Sequence, residues 1–266
     1  MGARPLPSLV VTSEQSRPVV LAIQNDPTDP PLMVGEWLDE AGIQVDVVAA
    51  CDGSPVPPAV PSGVSGVLVL GGSMGANDHA QAPWLEAEKA LLRDATDRAV
   101  PVLGLCLGGQ VLAEATGGQV TLAPTTEIGL AFVRRTPQGA ADPVMGAVAA
   151  LADGRIPAAQ WHQDHVAQLP PGAELLLTND ACVVQGYRVG TSSYGLQLHP
   201  EINGDVFRWW AGYVDEALER SGADPLTAAD EVAAYDERLV AAWRPFTHAW
   251  AQLVFECQVQ SARVQA

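Results

Sequence analysis

Basic side chains are scarce in this chain: 14 lysines and arginines stand against 31 aspartates and glutamates over 266 residues, a formal net charge of −17. Phosphate binding needs concentrated Lys and Arg, so this balance argues against nucleic acid as a partner and equally against docking on an anionic membrane. It is the acidity of a well-solvated surface. Long apolar runs are missing too. Nothing approaches the ~18 apolar residues of a membrane span. The opening "MGARPLPSLVVTSEQSRP" has two arginines, several prolines and only a short "LVV", too little for the core of a signal peptide. Cysteine is rare, and Cys51, Cys106, Cys182 and Cys257 show neither a C-x-x-C pair nor framework spacing. The default setting is therefore a reducing cytoplasm, with each cysteine a small buried hydrophobe unless its surroundings say otherwise. No repeat or low-complexity block appears.

The hydrophobic pattern is plentiful and ordered. Residues 1–16 read as a flexible leader. "PVVLAIQ" (18–24) reads as a buried strand, "PLMVGEWLDEAG" (31–42) as a helix stopped at Gly42, and "IQVDVVAA" as the next strand. After a Pro-rich loop come the apolar strand "GVLVLGG" (66–72) and the helix "PWLEAEKALLRDATDRA" (83–99), with Pro83 near its first turn. The strand "VPVLGLC" and the helix "LGGQVLAEATGG", closed by Gly117 and Gly118, follow. Apolar strands alternating with amphipathic helices predict an α/β fold, an open doubly wound, mostly parallel sheet of flavodoxin-like type. Between 119 and 198, short runs such as "EIGLAFVRR", "RIPAAQW", "ACVVQGYRV" and "SYGLQLH" with few helices predict a mixed or antiparallel extension of that sheet. The stretches from 203 onward, "GDVFRWWAGYVDEALERSG" and "DEVAAYDERLVAAWRPFTHAWAQLVFECQVQSA", read as C-terminal helices. The expected organisation is a leader (1–16), a core domain (17–205) and a helical extension (206–266) packed on it.

One cysteine stands apart. In "PVLGLCLGGQVLA" Cys106 lies between Gly104 and Gly108, where an apolar strand gives way to a helix. Ligands of open α/β sheets sit beyond the carboxyl ends of the strands, where this residue falls. Gly-x-Cys-x-Gly is the cysteine form of a nucleophile elbow. A sharp strand-to-helix turn crowds the backbone, which glycines relieve, and it aims a helix N-terminus at the sulfur, favouring the reactive thiolate. On this motif alone two readings stand: a nucleophile, or an inert thiol in a tight glycine turn.

A nucleophile needs a base held by a third group. In "GLQLHPE" (195–201), His199 ends an apolar strand and Glu201 follows across Pro200, a spacing that puts both side chains on one face of extended chain. The order Cys106, His199, Glu201 differs from the nucleophile, acid, histidine order of α/β-hydrolases. The loop in "LVLGGSMGANDHAQAPWL" (68–85) sits at the end of a neighbouring strand and can carry backbone donors for an oxyanion, with Leu107 and Gly72 as the two N–H groups. It lacks both Gly-Lys-Ser/Thr and a full G-x-G-x-x-G, so nucleotide binding is not expected.

Together, "VLGGSMG", "PVLGLCLGGQVLA", "EIG", "WHQDHVAQLP" and "YGLQLHPE" resemble the class I (triad) glutamine amidotransferases, and among them the stand-alone proteins similar to the glutaminase domain of GMP synthase. The resemblance covers about 17–205. It implies Cys106 as nucleophile, His199 as general base and acid, Glu201 as its orienter, and Gly72 and Leu107 as the oxyanion hole. It also implies substrate contacts from Gln110, Asp164 and His162. The substrate would be glutamine, with ammonia released through a Cys-bound γ-glutamyl thioester and no cofactor. Where family members commonly have proline after the paired glycines, this chain has Ser73. Only about 60 residues follow the core, too few for a synthetase domain, so an acceptor enzyme is expected on another chain or the product is free ammonia.

Two other functions fit the motifs: a γ-glutamyl hydrolase using the same three residues, and a non-catalytic regulatory module that keeps the fold. His162 and His165 flank Asp164, but no cysteine or helical His-x-x-x-His accompanies them, so no metal is expected. His79 is expected in solvent, and His248 packed on an amphipathic helix. Trp209, Trp210, Trp243 and Trp250 are expected to anchor the C-terminal helices or to form a docking face for a partner.

Overall fold

A computed structural model describes residues 17–213 and 216–265; the expected leader lies outside them. Five apolar strands form the parallel part of the sheet: β1 (Val19–Gln24), β2 (Gln44–Ala49), β3 (Val64–Val69), β4 (Val102–Leu105) and β9 (Ser193–Leu196). Their order, β2-β1-β3-β4-β9, continues through β8 (Gly186–Val189), β7 (Glu174–Thr178), β5 (Gln119–Arg135) and β6 (Ile156–Gln168). The last four are joined by antiparallel ladders. The doubly wound sheet and its antiparallel extension are thus both present.

Burial on both faces explains why β1, β3 and β4 read as unbroken apolar runs, whereas the edge strand β2 has no buried residue. In β3 and just after it, Val67 and Val69 belong to one core, and Leu68 and Leu70 to the other. On the first side lie α2 (Leu85–Asp97) and α3 (Leu107–Ala115). On the second lie α1 (Leu32–Glu40) and the long α8 (Asp236–Gln265). Gly42 and Gly117, read as helix stops, adopt φ of 86° and 94°, the left-handed conformation glycine reaches without steric cost.

The sequence pattern ran past the true boundaries in three places, one of them "SYGLQLH", whose strand β9 ends at Leu196, short of His199. "ACVVQGYRV" becomes strand only at Gly186, because the Asn179 side chain accepts from the Ala181 and Cys182 N–H groups and holds the chain in a turn. The helical pattern of 204–221 divides into α5 (Gly204–Trp210) and α6 (Glu216–Ser221), and the Asn203 side chain caps the first by accepting from Val206 N–H. Among the described residues, α4 (Pro137–Ala141) and α7 (Pro225–Ala233) are the remaining α-helices. Trp243 and Trp250 of α8 are fully buried in the second core, and their indoles donate to Pro157 O (2.9 Å) and Val102 O (3.2 Å). No helix among the described residues is long and apolar enough to cross a membrane.

Candidate active site

Cys106 occupies the turn between β4 and α3 with φ 47° and ψ −106°, a conformation that strains a non-glycine residue and recurs where function demands it. The flanking glycines are there for space. A Cβ on Gly104 would lie 2.5 Å from Gly108 O, and one on Gly108 would lie 2.1 Å from Val69 O. The helix therefore starts in backbone contact with β3. Cys106 N–H donates to Leu196 O at 2.8 Å, which fixes the elbow to β9. Its Sγ lies 3.7 Å from Trp161 O and 3.7 Å from Gln197 Nε2.

Past β9 the chain runs irregularly. His199 N–H donates to Ala159 O at 3.0 Å, an isolated bridge to β6 that delivers the imidazole to Cys106. Its Nδ1 meets Glu201 Oε1 at 2.5 Å, and Cys106 is near enough to act on the ring electrostatically. Both His199 and Glu201 are buried. Burial alone disfavours the imidazolium, but the Glu201 carboxylate and Cys106 outweigh it and hold the His199 pKa well above the usual histidine range. The Trp210 ring stands edge-on to the imidazole at 5.0 Å, and its indole donates to Thr28 O at 2.9 Å.

The other cysteines lack this setting. Burial pushes the Cys182 thiol up to about 12, and burial also raises Cys51 and Cys257.

The glycine loop lies where the motif predicts. An added Cβ on Gly72 would sit 3.0 Å from the Leu107 side chain, so the two residues are neighbours. Leu107 opens α3, where N–H groups have no intrahelical acceptor. Ser73, in place of the expected proline, donates its hydroxyl to Asp26 Oδ2 at 2.9 Å and ties the loop to the segment after β1.

Gln110 projects from the first turns of α3, with Nε2 donating to Asp164 O (3.0 Å) and Gln197 Oε1 (3.2 Å). Asp164 faces the glycine loop: a Cβ on Gly75 would lie 3.3 Å from its Oδ2. His162 is fully engaged, Nδ1 2.9 Å from Asp164 O and Nε2 3.2 Å from Glu127 Oε2. Glu127 also accepts from Asn179 and Gln185, so the imidazole is braced from behind.

Two cavities meet at Cys106, sharing Gly72, Ser73 and Trp161. The smaller, about 120 Å³, is lined by Gln110, His162, Gln163 and Asp164. The larger, about 240 Å³, contains His199 and is walled by Asp26, Thr28, Asp29, Trp210 and Tyr213.

Asp29 was not visible in the sequence, where "DPTDPP" reads as a turn like any other. It is buried, and neither carboxylate oxygen makes a hydrogen bond of normal geometry. Burial and then the Glu201 charge push its carboxyl well above the usual range. Asp29, His199 and Glu201 form the one group of described residues whose potential metal-ligand atoms converge, all within 4.8 Å. Gln197 was also missed, though a signal existed. It alternates with His199 and Glu201 as a polar residue in an apolar run.

The remaining expectations fall outside the site. His79 is partly exposed, 3.2 Å from Glu86, and His248, half-buried on α8, has Nε2 3.6 Å from Glu40 of the neighbouring α1. Trp209 is 46% exposed and stacks edge-on with Tyr213.

Comparison with known proteins points in one direction. The family model "Glutamine amidotransferase class-I" matches residues 36–208. The crystal structure of a glutamine amido transferase from Methylobacillus flagellatus is 30% identical, with a TM-score of 0.72 over 92% of this chain and 95% of that one. That of a glutamine amidotransferase from Thermotoga maritima is 25% identical, with a TM-score of 0.75 over 90% of this chain and all of that one. Among curated proteins, the glutamine-hydrolyzing GMP synthase of Bordetella parapertussis is 28% identical over 179 residues, 65% of this chain. That of Ruthia magnifica is 35% identical over 107 residues, 40% of this chain. The matches span only 32% and 20% of those two synthases.

Proposed function

The chain belongs to the class I glutamine amidotransferases, and from that premise we propose that it hydrolyses the glutamine side-chain amide through a γ-glutamyl thioester on Cys106. The observation that carries the reading is the convergence at one point of a strained elbow cysteine, His199 beside it, and Glu201 2.5 Å from His199 Nδ1.

Cys106 thiolate attacks the carboxamide carbon. The oxyanion is received by the N–H groups of Gly72 and Leu107, each contributing on the order of 3 kcal/mol to the lowered barrier. His199 gives a proton to the departing nitrogen as the C–N bond breaks, and ammonia leaves. Water then loses a proton to His199 and adds to the thioester. The C–S bond breaks, releasing glutamate and restoring the thiolate. Glu201 holds Nδ1–H throughout and stabilises the imidazolium. Gln110 and Asp164 meet the α-amino and α-carboxylate groups in the smaller cavity, and His162 acts there by fixing the backbone of Asp164. No step calls for a metal or cofactor.

Ammonia passes to an acceptor handled by a separate enzyme, such as a synthetase, or by a small substrate. Coupled assay of the purified chain for glutamate and ammonia, alongside Cys106→Ala, tests the chemistry. Activity lost in the variant is expected. A chain that neither turns over glutamine nor labels at Cys106 with a glutamine-analogue electrophile would return the regulatory-module reading to the front.

A further inference from the structure

The two cavities differ in which end of a substrate they can hold. The group that protonates the leaving nitrogen is His199, which lines the larger cavity and not the smaller. The γ-glutamyl part sits with Gln110 and Asp164, so the nitrogen end faces the larger space. Ammonia needs no more room than a water molecule, roughly 30 Å³. The space available is about 240 Å³, more than an engineered cavity of about 150 Å³ that accommodates benzene.

Its walls are chemically one-sided. Asp26, half-buried, accepts from Thr28 N–H (2.9 Å), Thr28 Oγ1 (2.7 Å) and Ser73 Oγ (2.9 Å). Asp29 stands beside it, and the Trp161, Trp210 and Tyr213 rings complete the wall. No Lys or Arg lines this cavity among the described residues. A fixed carboxylate beside aromatic rings attracts a cation by charge and by the ring quadrupole, and repels an anion.

We propose that this cavity is a leaving-group subsite for substituted amines bearing a positive charge, so that the chain cleaves γ-glutamyl amides of cationic amines in preference to γ-glutamyl peptides. The inference rests on the thioester mechanism above and deepens it. The γ-glutamyl C–N bond breaks, His199 supplies the proton, and the free amine leaves in place of ammonia. Water then hydrolyses the thioester to glutamate, so amide plus water gives glutamate plus amine. A γ-glutamyl peptide would instead bring its carboxylate against Asp26.

Three substrates test it on the purified full chain: glutamine, the γ-glutamyl amide of ethylenediamine, and γ-glutamylglycine, which places a carboxylate near the position of the second amine. The expected result is a kcat/KM at least tenfold higher for the diamine amide than for γ-glutamylglycine. Asp26→Asn should reduce that ratio severalfold. On the unmodified chain, rising ionic strength should reduce it in the same direction. If glutamine turns over but the two amides are handled equally, or the glycine compound is preferred, the cavity is only an exit vestibule and the inference falls while the glutaminase reading stands. If all three are inert and a glutamine-analogue electrophile leaves Cys106 unlabelled, both fall. Should Cys106 label without turnover, protection from labelling by the two amides gives the same comparison.

Discussion

Glu88 is fully buried on α2, its two carboxylate oxygens make no hydrogen bond, and burial pushes its pKa up to about 8. The folded chain therefore keeps a proton that the unfolded chain releases near pH 4.3. Between that pH and about 8 the folded state binds more protons, so stability falls as pH rises, by about 1.4 kcal/mol per unit at most. Glu88→Gln removes the titration, and urea midpoints measured across this range should decline less steeply than in the unmodified chain. His199 has the same sign: its raised pKa stabilises the fold below the unfolded histidine value, and that contribution is lost as pH climbs through the folded value. In Cys106→Ala, loss of the sulfur partner should move the His199 titration, followed by NMR of the imidazole, to lower pH; an unmoved curve would break the link between the two residues. At this scale motif and chemistry in the sequence single out Cys106, His199, Glu201 and Gln110, and the fold brings them together through His199–Glu201 and the shared neighbour Gln197. Asp26 and Asp29 escaped the sequence pattern, because acidic residues in a Pro-rich turn look alike until the fold brings one of them against Glu201.

Elements are placed by backbone contact as much as by side chains. The start of α3 can approach β3 only because Gly108 has no side chain, since a Cβ there would lie 2.1 Å from Val69 O. Gly108→Ala should cost about 3 kcal/mol or more in chemical denaturation and reduce catalysis by displacing Cys106. Gly53→Ala, at φ 86° with nothing within 4 Å, meets only the left-handed penalty of about 1–2 kcal/mol. The alternation of apolar strands with helices was legible from 18 to 117 because β1, β3 and β4 are buried on both sheet faces and carry their own hydrophobic signature, while the edge strand β2 is exposed or half-buried throughout. Legibility failed at 179–185 and 197–203. In these segments long-range bonds set the path: Gln185 N–H to Leu177 O, Gln197 N–H to Gln185 O, and His199 N–H to Ala159 O. No local pattern records such partners.

At the scale of the whole molecule, the order β2-β1-β3-β4-β9 puts Cys106 at the carboxyl edge of the parallel sheet, and the antiparallel extension carries Trp161 to Asp164 over it. The C-terminal helices share the core with these strands, since Trp243, Phe246 and Trp250 are fully buried beside Leu68 and Leu103. We expect one cooperative unfolding transition, with Trp250→Ala costing about 3–5 kcal/mol. Trp209→Ala, at an exposed position, should leave the denaturation midpoint nearly unchanged. The sequence suggests these tryptophans as anchors or docking groups; Trp243 and Trp250 are buried anchors, Trp210 is buried beside His199, and Trp209 is exposed. The proposed function requires the Cys106 thiol to attack a γ-glutamyl amide. The most direct test is mass spectrometry of the purified chain quenched during turnover of glutamine. The account predicts a γ-glutamyl adduct on the Cys106 peptide, absent in Cys106→Ala; glutamate formation without that adduct and undiminished in the variant would contradict it.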